Sequence, residues 1–483
     1  MSKNSTYETV IGLEVHVQLA TKSKAFCGDD ASFGAAANTH ISAISLGHPG
    51  TLPKLNTKQV EFAVRLGLAI GSTINPVNSF DRKNYFYADL PKGYQITQDR
   101  APICIGGEVP IRGKDFTKVI RIHHIHMEED AGKSIHDQDP NHSLIDLNRA
   151  GVPLLEVVTE PDMRSPEEVD LFMTTMRRLV RYLEISDGNM EEGSLRCDVN
   201  ISLRKKGVAT YGERCEVKNL NSMRFARQAI QYEVKRQATI LDAGGIIKRN
   251  TLNFDPTSGT TSPLREKEDA NDYRYFPAPD LTPLHLTPAY IEKIKAELPP
   301  LPEALYQQFT TDFQLSDYDA SLLTQEKASA LFYIQLTKKN KNYKGLANLL
   351  INKVIPFANE QKIALSDFPL NTEVLTQFVQ LIEDGKVSSS LAYQRLFPGL
   401  IEAPDQTPLA LAEKLGMIQD GDDDFINELV ETTLTANPDK VKAYQSGKKN
   451  LMGFFMGEIV RASKGKADPK AVSALLRKKL DDS

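Results

Sequence analysis

Three short segments of this 483-residue chain alternate apolar and polar residues, and each carries an acid on its polar side. In Val10 to Ala20 the residues Ile11, Leu13, Val15, Val17 and Leu19 alternate with Gly12, Glu14, His16 and Gln18. In Leu195 to Arg204 an apolar set from Leu195 to Leu203 alternates with Arg196, Asp198, Asn200 and Ser202. In Arg214 to Asn219, Cys215 and Val217 oppose Glu216 and Lys218. A period of two is that of a β-strand, whose successive side chains point to opposite faces. One such strand is ordinarily amphipathic with a wet outer face. Three of them, together with the acidic run Glu128-Glu129-Asp130, point instead to a shared basin lined by carboxylates. Carboxylate and amide oxygens with one imidazole suit Mg²⁺ or Mn²⁺. A structural zinc asks for thiolates and imidazoles in a closed tetrahedron. Magnesium beside basic residues is the equipment of phosphoryl transfer, in which cations neutralise phosphate charge. The candidate cations are Lys133, Arg149, Arg196 and Lys218, with Asn200 adding an amide on the same predicted face.

Several more familiar signatures fail on inspection. Gly132-Lys133-Ser134 resembles the end of a phosphate-binding loop, but the required upstream glycine falls on Met127. His123, His124 and His126 have carboxylates, not thiolates, for neighbours, so polar or packing roles are expected of them. Cys197 and Cys215 fall on the apolar sides of their strands and are read as core rather than as nucleophiles. There is no Gly-x-Ser-x-Gly elbow and no recognisable glutaminase machinery.

The elements around these residues change character along the chain. Up to about residue 296, period-2 segments and turn signals predict a mixed, strand-rich domain. Glu297-Leu298-Pro299-Pro300-Leu301-Pro302 is a break that no helix runs through. Helical patterns follow, for instance Ser329 to Thr337 and Leu346 to Val354, with a second break near Pro404 to Pro408. The expected domains are 1–296, 297–407 and 408–483. Four dispersed cysteines suit a reduced compartment better than a disulfide framework. A polar start at Met1 to Thr6 and the lack of a long apolar run predict a cytoplasmic protein with no membrane contact.

Net charge is −5, which does not by itself mark a nucleic-acid binder. It is unevenly spread, however. Lys442 to Leu480 holds ten Lys or Arg against Glu458 and Asp468, or +8, leaving −5 − 8 = −13 for the rest. A basic terminal module on an acidic body is a polyanion footprint, although a solvated helical face would look the same.

Motifs along most of the chain resemble those of the GatB family, the B subunits of aspartyl/glutamyl-tRNA amidotransferases. They include Ile11-Gly-Leu-Glu-Val-His16, Phe80-Asp-Arg-Lys-Asn-Tyr-Phe-Tyr87, Leu90-Pro-Lys-Gly-Tyr-Gln95 and His126-Met-Glu-Glu-Asp-Ala-Gly-Lys133. Asp146-Leu-Asn-Arg-Ala-Gly-Val-Pro-Leu-Leu-Glu156 is the most family-specific. Met190 to Asp198, Lys218-Asn-Leu-Asn221, Asp272 to Pro277, Met452 to Gly457 and Lys464-Gly465 complete the set. The resemblance implies an α+β fold: an antiparallel cradle similar to that of glutamine synthetase, then a helical middle domain and a small helical tail similar to YqeY proteins. It implies Glu14, His16, Glu128, Glu129, Asp198 and Glu216 as metal and ATP ligands, and Mg²⁺ and ATP as cofactors. The partners it implies are the family's glutaminase, its A subunit, then a small C subunit that braces the assembly, and tRNA(Gln) or tRNA(Asn). Many relatives carry four zinc-binding cysteines early in the chain. The matching positions here are Cys27, Asp29, Ser42 and Ser45, so no structural zinc is expected.

The expected reaction is ATP-dependent phosphorylation of the side-chain carboxylate of Glu-tRNA(Gln) or Asp-tRNA(Asn), followed by amidation with ammonia made elsewhere. Arg82, Lys83, Tyr85 and Tyr87 are candidates to meet the tRNA end, or form a structural loop. Two rivals stand beside this reading. A free-standing ammonia ligase would have no use for the basic tail. A non-catalytic tRNA scaffold would have no use for the acidic basin.

Overall fold

The computed structural model describes the chain except residues 1–5, 137, 221, 267–272, 420–422, 464–466, 468 and 482–483. Asn221, Asp272, Lys464 and Gly465 of the family motifs, and Asp468 of the basic tail, lie outside the described residues. Contacts divide the chain into two units, Met1–Pro302 and Glu303–Ser483.

The first unit is built on a ten-stranded sheet. In chain order its strands are β1 (Tyr7–Gln18), β2 (Thr73–Ile74), β3 (Cys104–Ile105), β4 (Glu108–Arg112), β5 (Thr117–Glu129), β6 (Pro153–Thr159), β7 (Leu195–Lys205), β8 (Cys215–Leu220), β9 (Asn250–Asp255) and β10 (Thr260–Glu266). They lie in the order β10-β9-β8-β7-β1-β6-β5-β3-β2, with β4 paired to β5. All pairings are antiparallel except β8 with β9. The three alternating segments thus become β1, β7 and β8, with β1 and β7 adjacent at the centre. Their apolar sides are buried: Ile11, Leu13, Val15, Val17, Cys197, Val199, Ile201 and Val217 are each at most 1 % exposed.

Helices α1 (Thr57–Ala69), α2 (Pro166–Tyr182) and α3 (Met223–Asp242) complete this core. Each begins on a side-chain cap. Asn56 accepts from the Lys58 amide, Ser165 from Glu168 and Ser222 from Phe225, satisfying donors that a helix start leaves without partners. Burying that one apolar face is what leaves the opposite face of β1, β7 and β8 to carry polar chemistry.

The second unit is helical. The Glu297–Pro302 break falls between helices Pro288–Ala296 and Pro302–Thr311, and the second break between Phe397–Glu402 and Pro408–Lys414. Ser329 to Thr337 lies inside the helix Lys327–Lys339. The α-helix expected at Leu346 to Val354 stops at Leu349 and continues as π-helix through Val354. Pro356 follows, and Pro398 follows a like π turn at Ala392–Leu396. Proline lacks an N–H and crowds the carbonyl four residues back, and a wider turn relieves both. At the C-terminal end Ile426, Val430, Phe455, Ile459, Val472 and Leu476 form a separate small core. Among the described residues, no helix is long and apolar enough to cross a membrane.

Candidate functional site

Strand register decides which polar residues meet. Glu14 on β1 lies opposite Asp198 on β7, and Asn200 on β7 opposite Glu216 on β8. The carboxylates of Glu14, Asp198 and Glu216 each offer an oxygen within 4.8 Å of the others. Asn200 Nδ2 donates to Glu14 at 2.9 Å, and Thr251 Oγ1 to Glu216 at 3.2 Å. The Lys218 ammonium sits 2.6 Å from Asp198 and 2.9 Å from Glu216. Burial opposes its charge, but these two acids outweigh burial and raise its pKa. Burial, then the negative charges of Glu156 and Glu216, push the Glu14 carboxyl up. Packing like charges this closely is costly, and a cation among them removes the cost. Three carboxylates and an amide oxygen form an all-oxygen donor set that fits Mg²⁺, with Lys218 now meeting part of the demand for positive charge.

A second cluster adjoins the first. His16 faces Glu156 across the β1–β6 pair, and Glu156 faces His126 across β6–β5. His16 Nε2 is 3.4 Å from Glu156 and 3.6 Å from Glu128. His126 Nε2 is 3.3 Å from Glu156 and 3.6 Å from Glu128. Burial disfavours the imidazolium at both histidines. The flanking glutamates more than offset it, raising His16 to about 9 and His126 to about 10. Burial acts against the Glu156 carboxylate too, but the two histidines hold its pKa well below the usual range. As it stands protonated, His16 has no lone pair to offer, so ligation by it would release a proton.

The expected site residues therefore separate. Glu14, Asp198, Glu216, Asn200 and Lys218 come together, and His16 and Glu128 stand beside them. Glu129 does not join: it is buried, paired with Lys92, and accepts from the Ile96 amide at 2.9 Å. It is the next residue after Glu128 on a strand, so it points the other way. Arg149 does not join either. Its guanidinium donates to the Ala131 and Gly132 carbonyls at 3.0 and 2.6 Å. Arg196 lines one hollow with His16, Glu128 and Asp198 but is bound to Asp130 at 2.9 Å. Arg82 pairs with Asp280, while Lys83 lies 4.9 Å over the Tyr273 ring and lines the hollow with Tyr85.

Two members of this site escape sequence reasoning. The sequence predicts only polar or packing roles for His126, and it assigns Glu156 to a family motif but to no site. The one available signal for Glu156 is a lone acid in the otherwise apolar strand Pro153 to Val158. The cysteines follow expectation: Cys197 and Cys215 are buried, and burial raises both thiols, Cys197 to about 12. In the early loop Ser45 Oγ donates to Asp29 at 2.6 Å and accepts from the Ser42 amide at 2.9 Å. Lys133–Ile135 is a short strand paired with Leu144–Asp146, so the sequence that resembled a phosphate loop has no helix after it.

Carboxylates, imidazoles and a lysine gathered on one face of an antiparallel sheet are groups that suit an enzyme of group transfer. The sequence profile of the GatB/GatE catalytic domain matches residues 9–292, and that of the GatB domain matches residues 331–480. The chain is 48 % identical over 474 residues to the B subunit of the aspartyl/glutamyl-tRNA(Asn/Gln) amidotransferase of Solidesulfovibrio magneticus, covering 98 % of this chain and 99 % of that one. It is 44 % identical over 475 residues to the protein of that name from Persephonella marina, and 45 % over 478 residues to that from Myxococcus xanthus, with 98–99 % of each chain covered. The chain belongs to the GatB family, the B subunits of tRNA-dependent amidotransferases.

Proposed function

We propose that this chain activates the side-chain carboxylate of Glu-tRNA(Gln) or Asp-tRNA(Asn) by ATP-dependent phosphorylation and then presents it to ammonia. The observation that carries the reading is the meeting of Glu14, Asp198 and Glu216, from three strands, on the polar face of one sheet. Mg²⁺ held by these residues would neutralise phosphate charge. Lys218, already against Asp198 and Glu216, adds a positive charge beside them. His16 and His126 keep Glu156 ionised, so this part of the face stays polar and ordered. A free carboxylate lacks a leaving group. Phosphorylation provides one, and ammonia displaces phosphate to form the amide with loss of a proton.

The ammonia comes from the glutaminase that is the family's A subunit, and a small C subunit makes the assembly a heterotrimer in the cytoplasm. The sheet unit is the cradle, similar to that of glutamine synthetase, and the basic tail holds the tRNA through its phosphates. The test is the assembled enzyme supplied with each misacylated tRNA. Glu14→Gln is expected to abolish ATP-dependent amidation while tRNA affinity stays within twofold. Full amidation by that variant would refute the assignment.

A further inference from the structure

Residues 19–56, between β1 and α1, form no helix and no strand longer than an isolated bridge, and residues 32–39 are all exposed. A loop of that length lacks the hydrogen bonds of regular structure, so other contacts must close it. Lys24 stands inside this one, fully buried, as no other Lys or Arg among the described residues is. Its Nζ donates to the His40 carbonyl at 2.6 Å and to the Leu147 carbonyl at 3.3 Å. Asp29, Glu129 and Asp146 lie near enough to attract it. A charged group persists in the interior only where hydrogen bonds and opposite charge hold it. We propose that Lys24 is an internal clasp that fastens this loop to residues 145–151, and that the fastening needs no metal ion.

The segment on the other side answers with bonds of its own. Asn38 donates from its amide to Asp146 at 3.1 Å and from Nδ2 to the Ile145 carbonyl at 2.9 Å, and accepts from the Leu147 amide at 2.8 Å. It does so with φ at +58°, a left-handed conformation that asparagine tolerates. Asn148 accepts from the His40 amide at 2.9 Å and donates to the Ala36 carbonyl at 2.7 Å. The Ala25 amide donates to the Gly151 carbonyl at 2.8 Å. Gly151 lies on the Lys24 stem, where a Cβ would stand 3.4 Å from Lys24 Cδ. The segment so held carries Arg149, whose guanidinium bonds the Ala131 and Gly132 carbonyls, so the clasp backs the turn after Asp130.

The positions at which relatives carry zinc-binding cysteines do not fit that ion here. The side chains of Cys27, Ser42 and Ser45 converge on the Asp29 carboxylate, to which Ser45 Oγ donates at 2.6 Å. Structural zinc takes four thiolate or imidazole ligands, and three of these four side chains are neither. Burial above all pushes the Cys27 thiol up to about 11, away from the thiolate that a metal binds. Among the described residues no third Cys, His, Asp or Glu brings a donor atom to within 4.8 Å of those of both Cys27 and Asp29. Lys24 supplies from the chain itself the cross-link that an ion would otherwise make.

The experiment uses the full-length chain purified without added metal. Metal analysis should find far less than one zinc per chain. A zinc chelator should leave the melting temperature, and the rate of proteolysis within residues 28–50, unchanged. Lys24→Met should speed that cleavage at least tenfold. Asn38→Gly keeps the left-handed backbone but removes both side-chain bonds to Ile145 and Leu147, and should speed it at least threefold. Because Asn38 is exposed, this variant reads the clasp even where Lys24→Met does not fold. One zinc per chain, or a loop that the chelator opens, overturns the metal-free fastening. Cleavage at the wild-type rate in Asn38→Gly, or in a folded Lys24→Met chain, overturns the clasp.

Discussion

At the scale of single residues, Glu128 and Glu129 show how much one step along a strand changes. Both are acids of one motif and both are buried, yet only Glu128 faces the histidines. Glu129 sits in a buried pair with Lys92, and removing one partner of such a pair leaves the other charge uncompensated. Glu129→Gln is therefore expected to cost about 3 kcal/mol of stability, read by denaturant unfolding, and any loss of amidation should track loss of folded protein. A folded, fully stable but inactive Glu129→Gln enzyme would return that residue to the site. The histidine pair makes a second prediction. His16 and His126 have folded values of about 9 and 10 against about 6.5 when unfolded. Raised values stabilise the fold fully below about pH 6.5, and that contribution is lost as pH climbs through 9 to 10. The melting-temperature advantage of wild type over Glu156→Gln should accordingly shrink between pH 7 and 10.5. An advantage that stays flat over that range would mean the rings are already neutral at pH 7.

At the scale of elements, the face of each strand was legible and its neighbours were not. Alternation alone put Glu14 with His16, Asp198 with Asn200, and Glu216 with Lys218, because side-chain direction in a strand is a local property. That Asp198 lies against Glu14, across 184 residues of chain, is a matter of register, which depends on long-range pairing and on burying one face of the whole sheet. Glu156 escaped for the same reason: one acid in an apolar strand means little until two histidines are known to flank it. Arg149 and Arg196 looked like free cations because their acceptors, the Ala131 and Gly132 carbonyls and Asp130, come together only through loop geometry. Gly132 belongs to that loop. A Cβ there would stand 2.9 Å from the carbonyl oxygens of both Asp89 and Asp146, and backbone atoms cannot step aside as a flexible side chain would. Gly132→Ala should destabilise the first unit by about 1–3 kcal/mol, seen as a lower melting temperature. A neutral result would show that this loop gives way easily.

At the scale of the whole molecule, the division of charge separates two kinds of binding that the reaction needs. The sheet unit concentrates carboxylates that would suit a small hard cation, whereas the last helices concentrate lysine and arginine, with Lys442, Lys448, Arg477 and Lys478 exposed. Lys449 and Arg461 are less available, being paired with Asp481 and Glu458. Positive side chains that replace condensed counterions on a nucleic acid give an affinity that falls with salt, at roughly 0.7–0.9 in logarithmic slope per phosphate contact. Neutralising Lys442, Lys448, Arg477 and Lys478 together to Gln should therefore weaken tRNA binding and flatten its salt dependence by about 3 in that slope, if each meets one phosphate. Because these substitutions lie on the exposed surface of a separate small core, the melting temperature should hold. The ATP KM should hold too, since the nucleotide is assigned to the other unit. Filter binding of tRNA at several salt concentrations checks the slope. A slope equal to wild type would show that the basic tail is a solvated surface and that tRNA is gripped elsewhere on the chain.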